Sequence, residues 1–351
     1  MFEKLKILEL SNVLAGPAVG MFFAELGANV LKIENVHSKG DITRKWKLPK
    51  EDKSGVSAYF SSINYKKKYI MMDFNNPKER KKLEKYIFEC DIVITNFKYK
   101  DAEKFNLTFK DCKKINHKII YAHIGGFVSN PKRVAFDVIL QAETGYISMT
   151  GNHNQLAKMP VAMIDVLAAH QIKEGILIAM LKQQNDKKAY KVSTTLEESA
   201  IASLMNQSTN YLMVNHESKP IGTLHPNIAP YGDTFYTKEN DLLILAIGTD
   251  KQFEKFCEIL SLEFEVFEKF KTNSLRLNNR NLLMKIIQDN ARSIGTEFIL
   301  NEAIEKNIPI GKIKKVGEVM KSSIAKEMVL KEKINNQLTK RIKTISFKLS
   351  N

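Results

Sequence analysis

The chain has 351 residues, of which 44% are hydrophobic and 26% are charged, and its formal net charge at pH 7 is +15. This composition is typical of a soluble globular protein with one large domain or two, and no apolar run of about 18 residues predicts a membrane span. The charge comes from scattered lysines, without a zinc-finger, basic-zipper or RNA-binding motif. We therefore predict neither a nucleic-acid nor a membrane partner, and assign part of the charge to attraction of an anionic cofactor.

The cysteines and the N-terminal segment bear on the compartment. Cys90, Cys112 and Cys257 are far apart and lack metal-binding spacing, so they are interpreted as reduced structural residues. The segment 1–6 lacks the apolar core of a signal peptide. Both observations favour a cytoplasmic protein.

Apolar periodicity in the first 125 residues predicts alternating strands and helices. The predicted strands are 5–10, 28–33, 69–73, 91–95 and 118–123, and the predicted helices are 17–26 and 77–88. Such a βαβ pattern predicts an α/β fold with a Rossmann-like, doubly wound parallel sheet. The first turn, SNVLAGP at 11–17, is not the glycine-rich dinucleotide fingerprint, so neither a nicotinamide nor a flavin cofactor is predicted.

The remaining chain predicts a mainly helical segment and then a second, smaller domain. Helices are predicted at 136–146, 166–183 and 196–214, with a strand at 189–193. The segment 220–232 has three prolines and two glycines and is typical of a linker. A hairpin at 233–247 and amphipathic helices follow. We predict a large domain over 1–219, completed by about 321–351, and a small α+β domain over 220–320.

One acidic residue stands out at a predicted junction between a strand and a helix. Asp165 ends the apolar segment PVAMID at 160–165, directly before the helix predicted from 166. Backbone N–H groups at the start of a helix stabilise negative charge, and a carboxylate held there can attack an activated acyl group. Taken alone, Asp165 is more typical of an ordinary helix N-cap than of a nucleophile.

Several short segments resemble one family in their order and spacing. They are LAGP at 14–17, LGANVLKIE at 26–34, GDITR at 40–44, NYKKK at 64–68, DIVITNF at 91–97, FD at 136–137, QAETG at 141–145, TG at 150–151, HPNIAPY at 225–231, GTDKQF at 248–253 and IPIGKI at 308–313. This set covers about residues 5–320 and resembles the class III CoA-transferases, the group of formyl-CoA transferase and carnitine CoA-transferase.

The resemblance implies an interlocked homodimer that moves CoA from an acyl-CoA donor to a small carboxylic acid acceptor. Asp165 falls at the family's catalytic aspartate, which displaces the N-cap interpretation. The implied reaction proceeds through a mixed aspartyl anhydride and an aspartyl-CoA thioester on Asp165. Water must be kept out, because each of these intermediates hydrolyses. Coenzyme A takes part as the acyl-CoA substrate, and no metal is implied.

The resemblance also implies the residues of the site. The positions that match CoA contacts of the family are Leu14, Asn35, Met72, Asp73, Asn75, Asn96, Phe97, Lys98 and Lys104. Lys98 and Lys104 follow the end of a predicted strand, where ligands of open α/β sheets bind, although each lysine alone is as consistent with a solvated surface charge. The run 66–68 (KKK) is a further source of positive charge.

Other matched positions concern the reacting groups and the acyl pocket. Asp137 matches an acidic residue that orients the catalytic aspartate or the thioester, although an ordinary helix N-terminal aspartate is an equal alternative. Trp46 and Tyr59 match aromatic positions near the acyl pocket, and packing in the core explains them as well. Gln141 is either a pocket contact or an ordinary polar helix residue.

Two departures from the family pattern keep alternatives open. The α-methylacyl-CoA racemase branch has a histidine directly before its acidic residue, whereas Phe136 precedes Asp137 here, which disfavours a racemase. The glycine-rich loop of formyl-CoA transferase has no clear counterpart between Pro220 and Asp250, so oxalate specificity does not follow. The other alternative is a non-catalytic CoA- or nucleotide-binding protein. Succinate, formate and oxalate are the substrates that the family suggests.

Overall fold

The computed structural model describes residues 2–153 and 155–350, and the outer limits of the predicted large domain, residues 1 and 351, lie outside them. The chain divides into two compact units. The first contains residues up to 148, 158–218 and the segment from 323 onward; the second contains 149–157 and 219–322. The domain division drawn from the sequence stays a prediction. No helix in the described residues is long and apolar enough to cross a bilayer.

The strands are numbered in chain order through both units. They are β1 (Lys6–Leu10), β2 (Asn29–Asn35), β3 (Lys67–Met72), β4 (Ile92–Thr95), β5 (Ile120–Gly125), β6 (Gly151–Asn152), β7 (Gln155–Leu156), β8 (Tyr190–Thr195), β9 (Tyr231–Tyr236), β10 (Leu242–Ala246), β11 (Ile310–Lys312), β12 (Val329–Ile334) and β13 (Gln337–Ile342). The five strands predicted in the first 125 residues are confirmed, with bounds that differ by up to two residues.

The helices follow the same convention. They are α1 (Ala15–Glu25), α2 (Ala58–Ser62), α3 (Pro77–Glu89), α4 (Tyr99–Lys104), α5 (Phe109–Ile115), α6 (Asp137–Glu143), α7 (Tyr146–Met149), α8 (Met163–Asp186), α9 (Leu196–Ala202), α10 (Asn206–Val214), α11 (Asp250–Ile259), α12 (Phe264–Phe270), α13 (Asn273–Asn278), α14 (Arg280–Ala291), α15 (Thr296–Glu305), α16 (Val316–Val319) and α17 (Ser323–Glu327). A short 3₁₀ helix covers Ile42–Lys45.

The main sheet of the first unit is parallel and confirms the predicted α/β class. Its strand order is β3-β2-β1-β4-β5-β8. Successive residues of a strand face opposite sides: Ile92 and Ile94 join the core that includes α1 and α8, whereas Val93 joins the core that includes α3. Helices therefore cover both faces, so the central strands β1 and β4 are buried on both sides. The order reverses between β1 and β4, the topological switch point where such sheets bind ligands.

The second unit has its own core and an antiparallel sheet. Its strands lie in the order β11-β10-β9, and β9 and β10 form the hairpin predicted at 233–247. Phe235 and Leu243 from this sheet pack with Phe253 and Phe256 of α11 and with residues of α14 and α15. This arrangement is an α+β unit.

Two helix predictions are wrong in a way that reflects backbone conformation. The helix predicted at 196–214 is broken between α9 and α10, where Met205 has a φ of 49°. The helix predicted at 136–146 ends at Glu143, and Gly145 has a φ of 88° before α7 begins. Gly145 is a left-handed residue of the kind that ends a helix, whereas Met205 is the N-cap at which α10 begins. At Met205 the sequence offers no glycine or proline to signal the break.

Candidate active site

A cavity opens at the switch point of the parallel sheet in the first unit. It has a volume of about 470 Å³ and is lined by residues at or after the ends of four strands, together with part of 131–136. These residues are 12–15 after β1, 96–99 after β4, 123–128 at the end of β5, and 195, 196 and 198 at the end of β8. Asp165 contributes to its wall. Because the carboxyl ends of parallel strands meet at one edge of the sheet, the topology brings these distant segments together.

Asp165 lies in the first turn of α8, and the start of this helix is held by another carboxylate. The backbone N–H groups of Ile164 and Asp165 donate to Oδ1 of Asp137 over 2.7 and 3.3 Å. Ala162 occupies the N-cap position and makes no side-chain hydrogen bond, so Asp137 caps α8 from the first residue of α6. The predicted strand before Asp165 is absent from this described segment, and the N-cap interpretation of Asp165 is wrong.

Gln141 fixes the capping carboxylate. Its Nε2 donates to Oδ2 of Asp137 over 2.5 Å, and its Oε1 accepts from the backbone N–H of Met159 over 2.8 Å. The side chain is fully buried. Gln141 therefore links α6 to the segment that leads into α8, and its hydrogen bond to Asp137 connects it to the carboxylate that holds the start of α8.

The environment of Asp165 changes its acidity. Only 7% of the residue is exposed. Burial raises the pKa of Asp165 to about 7, and the charge of Asp137 acts in the same direction. The carboxyl group therefore keeps its proton to a higher pH than an ordinary aspartate does. A carboxylate with so altered a pKa on a cavity wall is a candidate for chemistry.

The aromatic residues predicted for the acyl pocket lie together beside these carboxylates. The rings of Trp46 and Tyr59 meet edge to face at 5.0 Å, and Trp46 lies 6.5 Å from Phe136, which lines the cavity. Burial, followed by the charges of Asp165 and Asp137, raises the pKa of Tyr59 to about 12. The phenol therefore stays protonated at neutral pH and can donate a hydrogen bond.

Four residues predicted to bind CoA share the cavity with Asp165. Leu14 follows β1, and Asn96, Phe97 and Lys98 follow β4. Asn96 Nδ2 donates to the carbonyl of Asn12 over 2.9 Å, and Asn96 Oδ1 accepts from the Asn12 N–H over 3.1 Å. Lys98 is exposed and its ammonium donates to the carbonyl of Lys132 over 2.9 Å.

The other predicted CoA residues are outside the lining of this cavity, as far as the described residues show. Asn35 and Met72 pair at the carboxyl ends of β2 and β3, where Met72 is buried. Asp73 accepts hydrogen bonds from the Asn75 N–H over 2.8 Å and lies 2.9 Å from Nε2 of His37. The remaining member of the predicted set, at the end of α4, is Lys104, which is exposed.

The lysine run at 66–68 does not contribute to this edge of the sheet. Lys67 begins β3, so the run lies at the opposite, amino-terminal end of the strand. The Lys67 ammonium is fully buried 2.8 Å from Glu9. Burial lowers the pKa of Lys67 to about 8. The prediction that this run supplies charge for an anionic ligand is therefore wrong for Lys67.

Several lining residues were missed from the sequence. His123, at the end of β5, donates through Nε2 to the carbonyl of Phe97 over 3.0 Å, and burial lowers its pKa. Thr195 ends β8, and its Oγ1 donates to Glu198 over 2.9 Å. The rule that ligands bind at strand ends could have indicated His123 and Thr195, since both strands were predicted.

The whole chain matches a family profile, CoA-transferase family III, over residues 2–351. The chain is 30% identical over 324 residues to a succinate–glutarate CoA-transferase from Agrobacterium fabrum, covering 90% of this chain and 80% of that protein. It is 32% identical over 333 residues to the human succinyl-CoA:glutarate CoA-transferase, covering 93% and 74% of the two chains.

A solved structure agrees with these sequence relatives. A CAIB/BAIF family protein from Brucella suis has a TM-score of 0.87 and 30% identity to this chain, with 99% of this chain and 92% of that chain covered. Both the sequence and the fold are therefore shared over nearly the full length. The chain belongs to the class III CoA-transferase family and is a CoA-transferase.

Proposed function

We propose that this enzyme moves CoA from an acyl-CoA donor to a small carboxylic acid by way of covalent intermediates on Asp165. A carboxylate oxygen of Asp165 attacks the donor carbonyl carbon, and the CoA thiolate leaves, which yields a mixed anhydride. The thiolate then attacks the aspartyl carbonyl and releases the donor acid, which leaves an aspartyl-CoA thioester. The observation that carries the proposal is the nearly buried Asp165 carboxylate on the wall of the switch-point cavity.

The second half of the reaction reverses these steps on the acceptor. The acceptor carboxylate attacks the aspartyl thioester, the thiolate leaves, and a new mixed anhydride forms. The thiolate attacks the acceptor acyl carbon and frees the Asp165 carboxylate. Low exposure of Asp165 supports this scheme, because both types of intermediate hydrolyse in water. The protonated Tyr59 is proposed as a hydrogen-bond donor in the acyl pocket, with Trp46 packed against it.

Coenzyme A is proposed to run from Asp165 across the carboxyl edge of the sheet. Leu14, Asn96, Phe97 and Lys98 line the cavity that contains Asp165. We assign the adenine, ribose and phosphate end to the residues after β2 and β3 and at the end of α4, namely Asn35, Met72, Asp73, Asn75 and Lys104. The net charge of +15 supports attraction of the phosphates.

The names of the relatives support dicarboxylic acids as substrates. Two of them act on succinate and glutarate or their CoA esters, and a protein from Haloarcula hispanica that is 26% identical is named a succinyl-CoA:mesaconate CoA-transferase. We therefore propose succinyl-CoA as a donor and a short dicarboxylate as the acceptor. Formate and oxalate, which the family resemblance also suggested, have less support.

We also propose a cytoplasmic homodimer. The start and the exposed face of α10 carry apolar side chains that a second copy would cover. Met205, Leu212, Met213 and Val214 are each at least 70% exposed. Exposed apolar surface of this kind is characteristic of protein interfaces.

The function is tested by incubating the purified protein with a panel of acyl-CoA donors and short mono- and dicarboxylic acids. We expect new acyl-CoA products only when a donor and an acceptor are both present, with the highest rate for a dicarboxylate pair. Intact-mass spectrometry with the donor alone should reveal a hydroxylamine-sensitive adduct of CoA minus water. Exchange of an α-hydrogen without transfer would favour a racemase, and CoA binding without either reaction would favour a non-catalytic protein.

The pH dependence of transfer follows from the acidity of Asp165. Only the ionised carboxylate attacks the donor, and the pKa of this group is about 7. The value of kcat/KM for the donor should therefore rise with pH through about 7 and level off above it, since kcat/KM follows ionisations of the free enzyme. Initial rates between about pH 5.5 and 9 measure this profile. A profile that falls with rising pH would contradict the nucleophilic role.

Replacing Asp137 by asparagine should shift the inflection of the kcat/KM profile to lower pH. The substitution retains an oxygen that can accept the N–H of Ile164 but removes the negative charge that raises the pKa of Asp165. The phosphates of CoA titrate equally in the assays of the wild type and the variant. The difference between the two kcat/KM profiles therefore reports on the enzyme alone. Glu198→Gln removes another cavity carboxylate and should leave the inflection in place. If the inflection does not move in Asp137→Asn, the ionisation that it reports belongs to a group other than Asp165.

A further inference from the structure

The loop between β1 and α1 has a backbone conformation that its own sequence disfavours. Val13 has a φ of 72°, in the left-handed region. A β-branched residue there is a marked outlier and persists only where its surroundings hold it. Residues 12–15 line the cavity that contains Asp165. The strained residue is therefore part of the cavity wall.

A buried carboxylate holds this loop. Both oxygens of Asp41 accept from the N–H of Val13, over 3.3 and 3.2 Å. Oδ1 of Asp41 also accepts from the N–H and the hydroxyl of Thr43, over 3.1 and 2.8 Å. Asp41 is 0% exposed, so each of these contacts is shielded from water. Asp41 lies in a different loop from Val13, beyond β2, and its hold on the loop is a tertiary contact.

Asp41 lies at the end of a chain of alternating charges that continues through Lys32 and Glu9 to Lys67. The ammonium of Lys32 lies 3.1 Å from Asp41 and 2.9 Å from Glu9, and it donates to the carbonyl of Ser11 over 2.5 Å. Glu9 in turn lies 2.8 Å from Lys67. The side chains of these four ionic residues are fully buried. Although burial alone would lower the pKa of Lys32, the carboxylates of Glu9 and Asp41 outweigh it and leave the pKa raised.

We infer that Asp41, supported by Lys32, is a positioning residue for CoA binding: it holds Val13 and Leu14 in the conformation that forms the wall of the acyl-CoA cavity. This inference rests on the proposed function, because it assumes that CoA occupies the cavity. The opposite end of the loop is held at Asn12 by Asn96. Asp41 thus fixes the one loop residue whose conformation is unfavourable on its own.

The test compares Asp41→Asn with Glu34→Gln. Each substitution removes one buried negative charge, but Glu34 is paired with Arg44 over 2.8 Å and makes no contact with Val13 among the described residues. We expect Asp41→Asn to raise the Kd for CoA, measured by titration calorimetry, and the KM for the donor about tenfold, as for one lost charge-assisted hydrogen bond. The kcat should change less than the KM. Glu34→Gln should leave both Kd and KM within about twofold.

The readout separates positioning from a purely structural role. Loss of folded protein lowers kcat per mole of chain and leaves KM and Kd unchanged. If Asp41→Asn does not fold, Thr43→Val removes only the 2.8 Å hydroxyl contact to Asp41 and should raise the Kd about threefold. An unchanged Kd in the folded variant, or an equal rise in Glu34→Gln, overturns the inference while transfer by the wild type stands. A wild type that binds no CoA overturns the proposed function and the inference together.

Discussion

Asp165→Ala is expected to fold, to bind CoA and to lose transfer activity by about 10⁴-fold or more, the scale of effect seen when a covalent nucleophile is removed. The reason is that a methyl group can form neither the anhydride nor the thioester. Steady-state rates with a dicarboxylate pair measure the loss. The adduct of CoA minus water seen in the wild type should be absent from the spectrum of the variant.

The matched control is Asp186→Asn, at the other end of the same helix. Asp186 is the last residue of α8 and accepts a hydrogen bond from the Tyr190 hydroxyl, so it belongs to the same element but not to the cavity. Its turnover should equal that of the wild type. Turnover of Asp165→Ala within tenfold of the wild type would show that the carboxylate is not the nucleophile.

Stability provides a second readout for the same position. The pKa of Asp165 is about 7 in the folded protein and about 3.9 in an unfolded chain, so the folded state holds this proton more tightly. The contribution of Asp165 to stability therefore falls as pH rises from about 4 to 7 and stays low above that. Asparagine does not ionise, so Asp165→Asn does not lose stability in this way as the pH rises. We expect its gain in melting temperature over the wild type to be larger at pH 8 than at pH 5.

Local patterns in the sequence were sufficient to predict most of the sheet. Period-2 and period-3.6 patterns identified the five strands up to His123, and the rule for strand ends indicated Lys98, whereas Asn96 and Phe97 came from the family resemblance. The family resemblance singled out Asp165 and Asp137. The structure brings both into one hydrogen-bonded unit, although they are 28 residues apart in the chain.

The parts that escaped prediction depend on tertiary contacts. The sequence around the start of α8 does not reveal that Asp137 caps this helix, because the usual cap is the residue directly before the helix. The burial of Lys67 could not be predicted either, since lysine is rarely buried unless paired, and its partner Glu9 is far away in the sequence. The left-handed Met205 that separates α9 from α10 carries no local signal either. Each of these features needs the fold before it can be recognised.

Lys32→Met should lower the free energy of unfolding by about 3–5 kcal/mol, because it leaves two buried carboxylates without their shared cation. Lys32 lies between Glu9 and Asp41, and all three side chains are fully buried. Methionine fills a similar volume, so the effect comes from charge and lost hydrogen bonds rather than from a cavity. Urea unfolding followed by circular dichroism measures the change.

Lys173→Met is the control for the burial of a lysine as such. Lys173 is only 8% exposed, its ammonium lies over the ring of Phe22 at 5.2 Å, and burial lowers its pKa, whereas carboxylates outweigh burial at Lys32. Replacing it by methionine should change the unfolding free energy by less than about 1 kcal/mol, since no buried carboxylate loses its partner. Suppose instead that both variants lose the same free energy of unfolding. Burial of the lysine stem, and not the Glu9–Lys32–Asp41 charge chain, would then stabilise the sheet that carries the loop at 12–15.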